Sequence, residues 1–287
     1  NKPNQKWSWN EAREIVLTSF HELSPEIAKI ANKFFENNWI DAEIRNGKDS
    51  GAYSHPCVPD VHPYILMNYN GKSRDVMTLA HELGHGVHQV LASKNGYLLA
   101  DTPLTLAETA SVFGEMLVFQ KLLSKADSKQ EKNSMIAEKV EDMLNTVVRQ
   151  IAFHNFETSF HNKRKSNELT PDEISEIWME TQSQALGDAI NLDDSYKPLW
   201  SYIPHFVHTP FYVYAYAFGD CLVNSLWQVR LSGQSSFTES YLNLLKSGGK
   251  KHHKEALAPF GLDASDPEFW NIGLNTISSL IDELEAA

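Results

Sequence analysis

The segment His81-Glu82-Leu83-Gly84-His85, preceded by Asp75-Val76-Met77-Thr78-Leu79-Ala80, restricts the fold of this chain more than any other stretch. A helix turns about 100° per residue, so positions four apart share one face, a turn apart. Two imidazoles so placed can hold one zinc ion at about 2.0–2.1 Å. Glu82, next to the first histidine, is placed to reach a metal-held water rather than the metal, the geometry of a metalloprotease base. The motif needs a helix, and Leu79, Leu83, Val87 and Val90 supply the apolar periodicity of one. HExxH fixes only three positions and arises by chance in unrelated helices, so its surroundings carry part of the argument. A strand pattern precedes it and a carboxylate-bearing helix follows. Two polar rings on a buried face also need partners, which a metal provides.

A catalytic zinc takes a third protein ligand and keeps one position open. The nearby candidates are His88, Glu108 and Glu115. His88 is displaced about 10 Å along the axis from His81, which suits a supporting role better than convergence on the same ion. The metzincin pattern needs a histidine ten residues after His81, and that position is Leu91. Glu108 lies 23 residues after His85 in Leu104-Thr105-Leu106-Ala107-Glu108, on a following helix whose spacing suits a His-His-Glu site. Glu115, two turns further, is the alternative. Asp101 and Ser111 are candidates to hold the far nitrogen of a ligand imidazole.

Most of the remaining pattern is helical. Ser8 with Glu11 forms a capping box, Ser24-Pro25 opens a second helix, and Thr170-Pro171-Asp172-Glu173 opens another. The periodicity predicts helices over 74–93, 103–124, 128–162, 170–186, 211–231, 236–246 and 267 to the end. Trp39 to Ile44 and Tyr64 to Tyr69 read as short strands. The expected architecture is mainly α with one small β-sheet, in one domain over 1–287. The polar start Asn1-Lys2-Pro3-Asn4-Gln5 has no apolar leader, and the missing initiator Met suggests a piece of a longer chain.

Composition narrows the partners. A net charge of −12 disfavours nucleic acid. No run of 18 apolar residues is present to span a membrane. The two cysteines, Cys57 and Cys221, are too few for a disulfide framework, which points to a reducing cytoplasm. The oligomeric state is not readable.

Larger blocks of sequence carry a resemblance. Gly51-Ala52-Tyr53-Ser54, His62-Pro63-Tyr64-Ile65-Leu66-Met67-Asn68-Tyr69, Asp75 to His88, Thr102 to Glu108, Ile203-Pro204-His205-Phe206, Pro210 to Tyr216, Ser247-Gly248-Gly249 and Phe269-Trp270 together resemble the oligoendopeptidase F branch of the thimet oligopeptidase family. The likeness extends from about Trp7 onward. It implies a zincin-like helical metallopeptidase domain, one Zn2+ held by His81, His85 and Glu108, and cleavage of internal bonds in short peptides within a deep channel. Members of the family are about twice this length, so the resemblance identifies the catalytic C-terminal part.

The resemblance also gives the aromatic segment a role to weigh. Peptide hydrolysis passes through a tetrahedral oxyanion that needs donors beyond the metal. His205 and Tyr212 match the family's His/Tyr residues best. His208, Tyr214 and Tyr216 remain open alternatives and candidates for substrate contact, although an aromatic face packed in the core would give the same pattern. Tyr64 and Leu66 lie on a strand that could offer its edge to an extended peptide. Gly248-Gly249 could flank the substrate, and His252-His253 reads as a solvated pair. Two rival readings stand beside an endopeptidase. A carboxypeptidase needs a cationic clamp, and Arg74 is the only arginine accompanying the motif helices. A structural zinc domain has no use for Glu82 as a base and tends to close all four metal positions.

Overall fold

The computed structural model describes residues 6–286; the polar start at Asn1 to Gln5 lies outside the described residues. α1 (Trp9–Leu23) and α2 (Pro25–Glu36) form an antiparallel pair. Ser8 and Glu11 make the expected capping box, with Glu11 Oε2 accepting from Ser8 N–H at 2.7 Å. Ser24 Oγ caps α2 by accepting from Glu26 N–H, and Pro25 sits where no intrahelical N–H is needed.

Three short strands follow: β1 (Ile40–Asp41), β2 (Tyr53–His55) and β3 (Tyr64–Leu66). β3 is central, parallel to β1 and antiparallel to β2. This corrects the strand-edge expectation for Tyr64 and Leu66. Both sides of their strand are already paired, so neither residue lies on a free edge. The flanking strand β2 was not foreseen, because Tyr53-Ser54-His55 is too short to show alternation.

α3 (Ser73–Ala92) is the central helix. Asp75 at its start accepts from the Asn70 and Lys72 N–H groups at 2.8 and 3.0 Å, where a carboxylate is also favoured by the helix dipole. Val76, Leu79, Ala80, Leu83 and Val87 are buried, and each large apolar side chain so covered contributes about 1.5–3 kcal/mol. Val90 is only partly buried against that core.

The predicted single helix over 103–124 is broken. α4 (Leu104–Ala107) stops, Glu108, Thr109 and Ala110 turn, and α5 (Ser111–Ser124) starts anew. The turn leaves the Thr109 carbonyl outside a helix ladder, and the buried Tyr241 Oη donates to it at 3.0 Å. α3 and α5 pack with backbones nearly touching. A Cβ on Gly84 would lie 2.4 Å from the Ala110 carbonyl oxygen, and one on Gly114 would lie 2.9 Å from that of Ala80. Glycine at both positions brings the start of α5 against the motif face of α3.

The stretch expected as one helix over 128–162 consists of α6 (Lys129–Leu144), a wide π turn over Asn145–Arg149, and α7 (Gln150–Arg164). α8 (Pro171–Leu186) begins at Thr170 with the predicted box. After a 3₁₀ stretch over Asp194–Tyr202 come α9 (His205–His208) and α10 (Tyr214–Leu231). α11 (Phe237–Ser247), α12 (His253–Leu257) and α13 (Pro267–Glu285) complete the chain.

The main core joins α1, α2, α3, α5 and α11. A second apolar cluster joins α7, α8 and the start of α10 through Phe153, Phe156, Ile177, Trp178 and Val213, with Phe206 of α9 packed on it. The fold is thus predominantly helical with one small mixed sheet. Among the described residues, no helix is long and apolar enough to cross a membrane.

Candidate metal centre and active site

Positions 81 and 85 of α3 project their imidazoles together, with Nε2 atoms 3.2 Å apart. Glu108, at the break between α4 and α5, brings Oε2 to 3.5 Å from His81 Nε2 and 3.4 Å from His85 Nε2. The three donor atoms form one compact triangle, all within 4.8 Å of one another. Donors about 2.05 Å from a tetrahedral zinc are separated by roughly 3.3 Å. The observed edges match that value, and the nitrogen, nitrogen, oxygen donor set is one that zinc takes in catalytic sites.

The charges around the triangle favour a cation. Burial acts against a charged Glu108, but the His85 and His81 imidazoles outweigh it and hold the carboxyl down, to about 2. Ser111 Oγ also donates to Glu108 Oε2 at 2.8 Å. Burial likewise opposes a charged His81, yet its hydrogen bond to Glu115 and that carboxylate's charge lift it to about 9. Metal binding would replace the proton in this anionic setting.

The support differs from the sequence expectation. Glu115 Oε1 lies 2.5 Å from His81 Nδ1, so the residue weighed as an alternative ligand instead holds a ligand ring from behind. Ser111 holds Glu108 rather than an imidazole. Asp101 makes no hydrogen bond to either histidine. His88 is buried and faces Thr102, with Nε2 3.3 Å from Oγ1; burial pushes it down to about 3, so it is a neutral core histidine here. Behind Glu115 stands the buried Lys139 of α6, Nζ 3.9 Å from Glu115 Oε2. Both had a sequence signal: each charge is set among buried apolar residues, Glu115 among Val112, Met116, Val118 and Phe119, Lys139 among Ile136, Val140 and Met143.

Glu82 is 4% exposed, and its Oε2 has no hydrogen-bond partner among the described residues. Burial raises its pKa, with the neighbouring imidazoles only partly opposing the shift. A carboxyl whose hold on a proton is strengthened by burial and whose side chain makes no hydrogen bond is suited to taking and returning a proton.

The aromatic segment is divided by its geometry. His205, Tyr212 and Tyr216 converge: His205 Nε2 is 3.2 Å from Tyr216 Oη, and the two tyrosine rings are 5.2 Å apart. Tyr216 lines the same cavity of about 300 Å³ as His81, Glu108 and Glu115. Burial raises both phenols, and the charge of Glu108 adds to each shift. Tyr214 lies two residues from Tyr216, hence about 200° around the helix. It packs on His154 and lines a separate apolar groove with Trp270, away from the metal triangle. His208 is exposed at the end of α9 and makes no side-chain hydrogen bond among the described residues. Tyr64 is exposed and stands against His62 at 4.4 Å between rings, and Leu66 is partly buried.

A second cavity, about 430 Å³, borders the triangle at His85 and is lined by Gln89, Cys57, His62, Tyr97 and Asp101 among others. Gly248-Gly249 serves this wall from behind rather than flanking an open cleft. Gly249 N–H donates to the Leu99 carbonyl at 2.9 Å, which ties down the 99–101 loop. The His252 and His253 rings lie tilted against each other with centroids 4.1 Å apart, His253 partly exposed and His252 on the surface.

A helical domain whose central helix presents HExxH, with a glutamate from the turn between α4 and α5 closing the triangle, defines the zincin-like class of metallopeptidases. The chain belongs to peptidase family M3, whose model matches residues 12–276. It is 30% identical to Oligopeptidase PepF of Bacillus subtilis over 98% of this chain and 42% of that protein. It is 29% identical to the chromosomal Oligoendopeptidase F of Lactococcus lactis subsp. cremoris, over 96% of this chain and 45% of the relative. A crystal structure from Chlamydophila abortus, assigned as a candidate peptidase, superposes with a TM-score of 0.83 at 33% identity, covering 99% of this chain and 48% of that one. The chain therefore spans less than half the length of these relatives.

Proposed function

We propose that this chain is a zinc-dependent endopeptidase domain that hydrolyses internal bonds of short oligopeptides. The observation carrying this reading is the metal-sized triangle of His81, His85 and Glu108 beside Glu82, a buried carboxylate with an unpartnered oxygen. A zinc ion held by those three residues supplies a Lewis acid that acidifies a water and polarises a carbonyl oxygen. Glu82 accepts the water proton as the water oxygen attacks the carbonyl carbon, then returns it to the leaving amine. In this reading Tyr216 and Tyr212 donate to the oxyanion, and His205 orients the Tyr216 hydroxyl, supported by the 3.2 Å between His205 Nε2 and Tyr216 Oη. Glu115, backed by Lys139, fixes the His81 ring so that Nε2 points into the triangle, where it would hold the metal.

Two cavities bordering the triangle, one at His85 and one at His81 and Glu108, suit the two halves of an extended peptide. Cys57 and Cys221 are unpaired, which supports a reducing compartment, the cytoplasm. The whole-chain activity of the longer relatives is extended to this chain as part of the same proposal. Arg74 and Lys139 both line the His81 cavity, which gives the carboxypeptidase reading some footing. Lys139 is already paired with Glu115, which favours the endopeptidase.

An internally quenched peptide blocked at both ends separates these readings. Chelator-sensitive internal cleavage, restored by zinc and lost in Glu82→Gln with zinc still bound, is the expected result. Cleavage only of peptides with free C-termini would favour the carboxypeptidase. Stoichiometric zinc without any turnover would overturn an enzymatic role for this chain.

A further inference from the structure

Glu157 lies on α7, outside the metal triangle, and its side chain is only 1% exposed. One carboxylate oxygen accepts the Phe211 N–H at 2.8 Å, across 54 residues of sequence. The other oxygen is buried without a hydrogen-bond partner among the described residues. A carboxylate in such a place calls for an explanation beyond packing.

Its partner supplies one. Phe211 has φ +61°, in the left-handed region that residues with a Cβ seldom occupy. Such a conformation persists where the surroundings over-determine it. Here α7 holds Phe211 twice, for His161, one helical turn beyond Glu157, packs on its ring with centroids 4.8 Å apart. The backbone and the side chain of a single strained residue are thus both anchored to one helix.

The anchored turn joins the oxyanion donors. Thr209 to Tyr212 connects α9, which carries His205, to α10, which carries Tyr216. Tyr212 follows Phe211 directly, and its N–H closes the turn on the Thr209 carbonyl at 3.2 Å. If Phe211 relaxed to a negative φ, the direction of the chain into Tyr212 would change, while α10 itself is held by the apolar cluster at Val213.

We propose that Glu157 is a positioning residue: its carboxylate holds Phe211 in the left-handed conformation and so sets Tyr212 beside Tyr216 at the metal triangle. This rests on the endopeptidase reading for its catalytic consequence, but not for the structural one. Glu157 touches neither substrate nor metal ligands and acts through the Phe211 backbone.

The test compares the full chain with Glu157→Ala and Glu157→Gln. Glutamine presents a carbonyl oxygen to the Phe211 N–H in nearly the same volume. Amide hydrogen exchange at Phe211 is expected to speed up about tenfold or more in E157A and to stay within about threefold in E157Q. Zinc content is expected to be equal in all three. Turnover number on the blocked peptide is expected to fall about ten- to a hundredfold in E157A, with KM nearly unchanged, and to recover in E157Q. Unchanged exchange in E157A, a loss of turnover in E157Q equal to that in E157A, or a loss that follows zinc content would overturn the proposal. If E157A does not fold, Glu157→Asp keeps the charge but shortens the reach, and the same contrasts are expected of it. A wild-type chain that binds zinc yet cuts nothing would defeat the endopeptidase reading alone, since the exchange contrast still decides whether Glu157 holds the turn.

Discussion

Glu115 accepts a hydrogen bond from His81 at Nδ1, and this contact decides which nitrogen of His81 is free for a metal. With Nδ1 committed as a donor, Nε2, facing His85 and Glu108, is the nitrogen a metal would meet once it displaces the ring proton there. The acid that the sequence offered as a rival ligand is therefore the residue that prepares one. Lys139 behind it keeps Glu115 from being an isolated buried charge.

Replacing Glu115 by Ala is expected to weaken zinc binding by about ten- to a hundredfold, as removal of partners behind ligand histidines does. Competition with a chromophoric chelator measures it. Zinc affinity unchanged in E115A would mean that the ring is oriented by packing alone.

Tyr216→Phe and Tyr214→Phe separate the two faces of α10. Loss of the Tyr216 hydroxyl is expected to lower the turnover number about a hundredfold with zinc retained. The Tyr214 change is expected to leave turnover within about twofold, because that ring faces the groove beside His154. Steady-state kinetics on the blocked peptide reads both. Equal effects would deny that Tyr216 alone of the pair faces the reacting carbonyl.

Gly219 lies one turn after Tyr216 and has no room for a methyl group. A Cβ there would lie 2.6 Å from Glu108 Cβ. Gly219→Ala must push α10 or the ligand-bearing turn outward, at an expected cost of about 1–3 kcal/mol in stability. Zinc affinity is expected to fall with it, since the displaced residue is Glu108. Urea melts with and without zinc test the pair of effects. A chain melting as the wild type and binding zinc as tightly would contradict the close approach.

Asp220 gives a pH signature. Burial, reinforced by the Glu115 charge and partly opposed by Lys139, pushes this carboxyl up to about 6. Its unfolded-state value is near 4. Between those values the unfolded chain has released a proton that the folded chain keeps, so this group lowers stability as pH rises from about 4 to 6. Below that window it has no effect, and above it the loss is complete. Asp220→Asn retains an oxygen to accept from Asn224 Nδ2, now 2.9 Å away. It is expected to remove that slope and add up to about 3 kcal/mol at neutral pH. Denaturant midpoints of zinc-free protein across pH 4 to 7 measure it. Parallel curves for the two proteins would show that Asp220 titrates normally.

The sequence by itself determined the local features of this protein. HExxH on an apolar-periodic segment dictates a buried helix with two imidazoles on one face, and the Ser8, Ser24 and Thr170 caps mark real helix starts. These depend on spacing within a few residues, which a chain shows directly. Tertiary structure decided where partners come from distant segments. The helix break that turns Glu108 toward the histidines is stabilised by Tyr241, 132 residues from the carbonyl it satisfies. Glu115 reaches His81 because Gly84 and Gly114 let two helices approach almost backbone to backbone. β3 became a central strand because Tyr53–His55 pairs beside it, which alternation over three residues could not announce. Tyr216 rather than Tyr214 faces the site because packing of α10 chose one side of an aromatic run that carries tyrosines on both. Periodicity names a helix face, but only the contacts of the folded chain select which face meets the metal.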